Sequence, residues 1–316
     1  MTSCGAQTNP YRWLSLIMPV AAIDLGTNTF HLLIRDGSKV LAEERRPVRL
    51  GLGGINHGQI TPEAEARALA CLTDYSRLAR LNGVESILAI GTSALRNAYN
   101  GREVAGRLTA LTGIPIRIIS GDEEAALIWE GIRSGMDLGR ETNLIVDIGG
   151  GSVEFIFADQ RQVFWKKSLE AGGQRLLDRF QPDDPISGEQ IEEISEYLKG
   201  VLAPLSDPMR SFDPITLVGS SGSFDTFSEM YCHRIGQSYS PGPETPLTLD
   251  GLQAIMDDVI RLNRAERMEM PGMIELRVDM IVVACVVIRQ ILAMHPFREL
   301  RVSGYSLKEG MMATLF

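Results

Sequence analysis

The sequence predicts an α/β fold made of two similar halves, each a sheet flanked by helices. Three observations carry this expectation. The segment at 21–34, AAIDLGTNTFHLLI, places a polar, glycine-containing break inside an apolar run, and the segment at 143–157, NLIVDIGGGSVEFIF, repeats it position by position. Asp24 aligns with Asp147, Gly26 with Gly149 and Thr29 with Ser152, at a constant offset of 123 residues. Around both copies apolar strands alternate with helix-like segments, the pattern of sheets covered by helices. A chain of 316 residues is also long enough for two domains with separate cores.

Taken along the chain, residues 1–17 are expected to be a disordered extension or an overlong start assignment, with Met18 as the first residue of the folded protein. The stretch WLSLIMPVAAI has the look of a signal-peptide core, but it runs straight into Asp24 and the first hairpin, which cleavage would damage. The hairpin opens a first domain over 18–130, and the second covers 131–316. RRPVRLGLGGINHGQIT (45–61) reads as loop, and its glycines lack the GxGxxG spacing of a dinucleotide-binding turn. Thr61 and Pro62 suit the N-cap and first position of a helix. Ala68, Cys71, Leu72, Tyr75, Leu78 and Ala79 follow at helical spacing, and Gly83 ends the helix. SILAI (86–90) is a strand leading into GTSALRNAYN. A helix through Leu111, a strand in IPIRIIS and a helix opening GDEEAALIWEGI follow. The second half repeats the order: hairpin strands within 143–168, helices near 172–180 and 188–203, a strand at ITLVG, and further helices. MIVVACVVI (280–288) is a buried helix, too short to cross a bilayer.

Composition narrows the function. A net charge of −9 and a pI of about 5.1 argue against a general nucleic-acid binder, whose affinity rests on neutralising many phosphates. Cys4, Cys71, Cys232 and Cys285 form no CxxC and the histidines no HxxxH, so neither a zinc site nor a disulfide framework is expected and a reducing, cytoplasmic setting is. Nothing points to a membrane, and the oligomeric state stays open, a homodimer included.

The chemistry concentrates in the repeated turns. Gly26, Thr27, Asn28 and Thr29, and Gly149, Gly150, Gly151 and Ser152, bring backbone N–H groups together where a missing Cβ lets an anion approach. One such turn alone reads as a glycine-rich hairpin; two facing each other across a cleft read as a phosphate clamp. Asp24, Asp147 and Glu154 place carboxylates beside those N–H groups. Carboxylate and phosphate repel unless a hard cation such as Mg²⁺ lies between them, although an aspartate also caps its own turn readily. In ISGDEEAALIWEGI, Ser120 and Glu123 form a capping box. This leaves Glu124 free at a helix N-terminus to accept a proton from water attacking phosphorus, or simply to sit solvated in the helix dipole. Arg96, at another strand-to-helix junction, suits a phosphoryl oxygen or a surface ion pair. Arg45, Arg46, Arg49, Arg261, Arg264 and Arg267 are candidate lining for a polyanion groove or ordinary solvated surface.

The ordered set DLGTNT, GTSALRNA, SGDEEA, DIGGGSVE, VGSSGSFDT and VSGYSLKEG resembles the exopolyphosphatase and guanosine pentaphosphate phosphohydrolase family, a branch of the superfamily of actin, sugar kinases and heat-shock chaperone ATPases. The likeness runs from Met18 to the end and is to the short two-domain members, without the extra C-terminal helical region of the long ones. It implies two ribonuclease H-like domains with the active site between them, Glu124 as general base, Asp147 and Glu154 associated with Mg²⁺, and Arg96 as the family's arginine. The implied activity is release of the terminal phosphate of inorganic polyphosphate. Guanosine pentaphosphate is the alternative substrate, and an ATP-binding kinase-like protein or a non-catalytic polyphosphate or alarmone sensor are the other classes. Three departures stand out: Thr27 and Thr29 where serines are common, Gly304 where aspartate is usual, and a GSSGSF loop where a Gly-Thr-rich version is typical.

Overall fold

The computed structural model describes residues 18–315, so the extension expected over 1–17, with Cys4, lies outside the described residues. β1 (Val20–Leu25) and β2 (Phe30–Asp36) form the first hairpin, and β3 (Lys39–Arg46) extends it by a strand whose end falls where the sequence suggests loop. α1 (Pro62–Leu81) starts on Thr61, whose hydroxyl accepts a hydrogen bond from Ala64 N at 3.2 Å. After β4 (Ser86–Gly91), the GTSALRNAYN stretch forms the short α2 (Ser93–Asn97), and after a break α3 (Gly101–Thr112) is the helix expected through Leu111. The break is held by the 58–60 segment: Gly58 O accepts from Tyr99 N, and the Asn100 side chain bonds both N and O of Ile60. β5 (Ile116–Ile118) and α4 (Gly121–Gly135) complete the first half.

The second half runs β6 (Asn143–Ile148), β7 (Val153–Ala158), β8 (Val163–Leu169), α5 (Gly173–Phe180), α6 (Gly188–Leu202), α7 (Ser206–Phe212), β9 (Thr216–Ser220) and α8 (Gly222–Arg234). It continues through β10 (Glu244–Thr245), α9 (Leu249–Arg261), α10 (Arg264–Met268), α11 (Met280–Met294), β11 (Glu299–Ser303) and α12 (Leu307–Leu315). The sheet orders are β3-β2-β1-β4-β5 and β10-β11-β9-β6-β7-β8. In each, an antiparallel three-strand meander is joined to parallel strands, with β6, β7, β8, β9 and β11 taking the places of β1, β2, β3, β4 and β5. The repeat read from the sequence is therefore a repeat of whole sheets, each of the ribonuclease H-like kind.

Strand alternation decides which side chains meet. Successive residues on a strand point to opposite faces. Ala21, Ile23 and Leu25 of β1 join an outer core with α1 and α3, while Val20 and Ala22 join an inner core with α4 and α12. Likewise Leu144, Val146 and Ile148 of β6 face the outer helices of the second sheet, and Ile145 joins the inner core. α4 and α12 thus lie between the two sheets. They cross with backbones in contact: a Cβ at Gly310 would lie 1.7 Å from Leu127 O, so only glycine admits this approach. The domain boundary expected at 130/131 falls inside α4, a helix that follows β5 of the first sheet yet packs on β7 and β8 of the second, while α12 packs on β1 and β2 of the first. Among the described residues no helix is long and apolar enough to cross a membrane, and the 280–288 run lies in the buried α11.

Candidate active site

The same alternation that places Val20 and Ala22 in the inner core places Asp24 two residues further on the same face, at the end of the interdomain layer. Asp147 follows Ile145 in the same way. Glu154 precedes Ile156 and His31 precedes Leu33, both inner-core residues. In the ladders Asp24 pairs with His31 and Asp147 with Glu154, so the repeat makes His31 the counterpart of Glu154. These side chains line one cleft together with Glu124, both glycine turns, Thr92, Ser93, Ser221, Arg277 and Ser306.

The two turns face each other and touch. A Cβ at Gly151 would lie 2.5 Å from both Thr27 Oγ1 and Ser93 Oγ, and one at Gly150 would lie 3.0 Å from the Asn28 carboxamide carbon. Their carbonyls are engaged away from the cleft. Thr27 O and Asn28 O accept from Gly51 N at 2.9 Å and Arg49 N at 2.7 Å, so the 45–61 loop braces the first turn. Gly149 O, Gly150 O and Gly151 O accept from Gly173 N, Gln174 N and Gly172 N at the start of α5, which braces the second. With the carbonyls tied back, amide N–H groups of the turns are left for an anion. Asn28 Oδ1 and Thr29 Oγ1 are buried without a hydrogen-bond partner, and each such atom costs about 1–3 kcal/mol unless a ligand satisfies it. Gly151→Ala is expected to lower stability in urea unfolding by about 1–3 kcal/mol and to weaken phosphate binding, because the turns must separate to admit the methyl group.

Glu124 is 7% exposed. The Ser120–Glu123 capping box forms as expected: Ser120 N donates to Glu123 Oε2 at 2.9 Å and Glu123 N to Ser120 Oγ at 3.1 Å. Glu124, the next residue, turns inward instead of remaining solvated. Arg96 Nη1 donates to Glu124 Oε2 at 2.7 Å and to Ile119 O at 3.4 Å, and Arg96 Nη2 reaches Ser168 Oγ at 3.5 Å and Glu170 Oε1 at 3.8 Å. Arg96 thus takes the ion pair that the sequence reading gave as one of its two possibilities, with a buried partner, Glu124, in place of a surface one. Burial lifts Glu124 to about 7 against the pull of Arg96. Burial, helped by the Asp147 charge, lifts Asp24 to about 7. Burial raises Asp147 as well, although Ser306, Ser220 and Ser221 hydroxyls oppose it. Glu154, 1% exposed, is pushed well above the carboxylate range by burial and by Glu124 and Asp147.

Neither aspartate spends itself capping its own turn. Asp147 Oδ2 accepts from Ser220 Oγ at 2.9 Å and Ser306 Oγ at 2.5 Å, and Asp24 Oδ1 is buried without a partner. Glu154 Oε1 accepts from Ser152 Oγ and Ser168 Oγ, each at 2.7 Å. The trio Asp24, Asp147 and Glu154 does not form a three-carboxylate cage: among the described residues no group of three or more His, Cys, Asp or Glu is arranged to hold a metal. The donor set fits Mg²⁺ in its more usual manner, in which one or two carboxylates hold an ion that keeps waters and takes the rest of its shell from substrate phosphates. The orphaned Asp24 oxygen among mutually repelling carboxylates is the observation favouring that fit.

Beyond Asp24 the cleft turns cationic, and of its cations the sequence reading names only Arg45. His31, Arg45, Arg277 and Lys308 gather around Asp24 and Asp225. Arg277 is 8% exposed and its Nε has no partner. Its guanidinium lies so close over Gly222 that a Cβ there would meet Nη2 at 1.8 Å. Burial, with the neighbouring Arg45 charge, lowers Arg277 to about 10, and burial with the surrounding cations holds His31 neutral. The sequence signals available were the repeat itself, which maps His31 onto Glu154, and the VGSSGSF and VSGYSLKEG stretches, which supply Ser220, Ser221 and Ser306. Ser221 adopts a φ of 74°, a strained value for serine that marks such sites.

Of the arginines considered for a groove, only Arg45 joins the cleft. Arg46 pairs with Asp74 at 2.6 Å, Arg261 with Asp258, and Arg264 with Asp279. Arg49 braces the first turn through its backbone, and Arg267 is 3% exposed and bonded to Leu262 O, Val278 O and Asp184. Gly304 also finds its reason in packing: a Cβ there would lie 2.2 Å from Gly242 O, so the crossing 242–243 segment leaves no room for a side chain.

Comparison with known proteins adds an independent line. The model of the Ppx/GppA phosphatase family matches residues 33–316. A crystal structure of an exopolyphosphatase from Cytophaga hutchinsonii superposes with a TM-score of 0.91 at 37% identity, covering 94% of this chain and 98% of that one. An exopolyphosphatase-like protein aligns at 25% identity over 94% of this chain and 97% of its own, with a TM-score of 0.81. A Ppx/GppA family member from Aquifex aeolicus shares the fold at 24% identity and a TM-score of 0.77, over 94% of this chain and 97% of that one.

Proposed function

Because this chain belongs to the Ppx/GppA phosphatase family, we propose that it hydrolyses a terminal phosphoanhydride, releasing orthophosphate from inorganic polyphosphate. The observation that carries the proposal is the placing of one buried, arginine-held carboxylate, Glu124, in the cleft where two braced glycine turns touch. The N–H groups of the turns hold phosphoryl oxygens and stabilise the charge that develops on them during transfer. Glu124 accepts the proton of the attacking water, and Arg96 keeps its carboxylate aimed. Mg²⁺ held by one or two of Asp24, Asp147 and Glu154 would neutralise charge between these carboxylates and the phosphates. Arg277, Arg45 and Lys308 take the remainder of the anion, which fits a buried guanidinium nitrogen lacking a protein partner. The exopolyphosphatase named among the structural matches at 37% identity favours polyphosphate over guanosine pentaphosphate.

The test is orthophosphate release by the purified protein with Mg²⁺ across polyphosphate, guanosine pentaphosphate and ATP. Release from polyphosphate at the highest kcat/KM is expected. Preference for guanosine pentaphosphate would transfer the substrate assignment, transfer from ATP to an acceptor would mark a kinase, and tight binding without turnover would mark a sensor. Arg277→Met is expected to raise KM for polyphosphate about tenfold, the loss of one charge-assisted contact of about 1.4 kcal/mol, with kcat little changed. An unaltered KM would remove Arg277 from substrate binding.

A further inference from the structure

The first turn of α5 carries a side chain that joins the second glycine turn to the segment that braces the first. Arg175 Nε donates to Gly151 O at 3.0 Å in the second turn. Its Nη1 reaches across to Ile55 O at 3.4 Å, in the segment that braces the first turn, and Nη2 pairs with Glu170 Oε2. Asn56 Nδ2 returns the contact by donating to Arg175 O at 3.1 Å. Glu170 in turn accepts from Ser93 Oγ at 3.1 Å and lies 3.8 Å from Arg96 Nη2, whose other nitrogen holds Glu124. The Arg175 side chain is 14% exposed, so three directed donors from one rigid, largely buried plane are spent on two carbonyls and on the partly exposed carboxylate of Glu170. Lysine has the charge but not the fork for this arrangement.

We propose that Arg175, seated by Glu170, is a positioning residue that sets the spacing of the two phosphate turns and ties it to the Arg96–Glu124 pair. The proposal rests on the hydrolase reading of the cleft. Neither side chain lines the cleft described above; each acts through groups that do. The two links separate in kinetics. Arg175 governs how well the turns fit an anion already at binding, whereas Glu170 governs how firmly Arg96 holds the base.

Arg175→Lys is expected to raise KM for tripolyphosphate about tenfold with kcat within about twofold, and Glu170→Gln to lower kcat about fivefold with KM within about twofold. Amide hydrogen exchange supplies a readout independent of turnover: in Arg175→Lys, exchange should quicken about tenfold in both 49–58 and 149–152 while β1 and β6 exchange as in the parent. Unchanged exchange in those two stretches would overturn the proposal, as would equal proportional losses in kcat alone for both variants, the mark of a reduced active fraction. A parent protein inert toward tripolyphosphate would instead sink the hydrolase reading, and the exchange comparison would still decide whether Arg175 positions the turns.

Discussion

Glu124→Gln is expected to lower kcat for orthophosphate release by about 10³-fold, within the range that general-base removal typically costs, with KM altered little. The glutamine oxygen still accepts from Arg96, so the pocket keeps its shape while losing the group that takes the proton. The parent enzyme should show the matching pH dependence. A base works only when ionised, and Glu124 titrates near 7 because burial outweighs the nearby guanidinium. The rate should therefore climb as pH rises through about 7, and the variant should lack that limb. Initial rates of phosphate release from pH 5.5 to 8.5 measure both. Equal rates in the two proteins would take Glu124 out of the mechanism, and a parent rate that falls across this range would show the residue acting as an acid.

The second large effect is on stability. Asp24 and Glu124 move from 3.8 and 4.5, their ordinary values, to about 7 in the fold. Between about pH 4 and 7 the folded protein keeps protons that the unfolded chain has released, so stability falls as pH rises through this window and levels off above it. Each tenfold change in proton affinity is worth about 1.4 kcal/mol. Because the carboxylates titrate as an interacting group, the combined effect is a few kcal/mol and not a sum over independent sites. At about 1.5 °C per kcal/mol for a chain of 316 residues, Tm without divalent metal should drop by about 3–6 °C between pH 5 and 8. Mg²⁺ prefers the ionised carboxylates, so it should recover most of that loss at pH 8 and little at pH 5. Calorimetric scans at both pH values with Mg²⁺ or with a chelator decide the matter. A Tm indifferent to pH and to Mg²⁺ would mean that the carboxylates are ionised and otherwise compensated.

Much of the candidate site was legible because its signals are local. A glycine turn flanked by apolar strands, an aspartate just before it and a second copy 123 residues on are visible without any knowledge of packing. The capping box is similarly local, and by occupying Glu123 it singled out Glu124, which the structure turns into the cleft. The arginines show the limit. Arg96, open in sequence to a phosphoryl oxygen or an ion pair, pairs with Glu124, Arg267, open to groove lining or solvated surface, is buried in ion pairing, and Arg277, unmarked in sequence, lies at the cleft with an unpartnered Nε. A long cation on a helix or loop carries no local mark of its direction, since its partners come from distant parts of the chain. The short α2 within GTSALRNAYN carries no local mark for the same reason: what holds its separation from α3 is the 58–60 segment, some 40 residues away.

By itself, then, the sequence determined the repeated strand-and-turn chemistry, the alternation that sends Asp24 and Asp147 to one face of their strands, and the division of labour between Glu123 and Glu124, all consequences of backbone geometry within a few residues. Only the tertiary structure decided that those two faces look at each other. That depends on α4 and α12 filling the space between the sheets, with a glycine contact that lets them cross closely enough for the two turns to touch. Which cations serve the cleft was settled there too, because a charge withdrawn from water keeps company with whatever carboxylate or carbonyl the packing brings within reach.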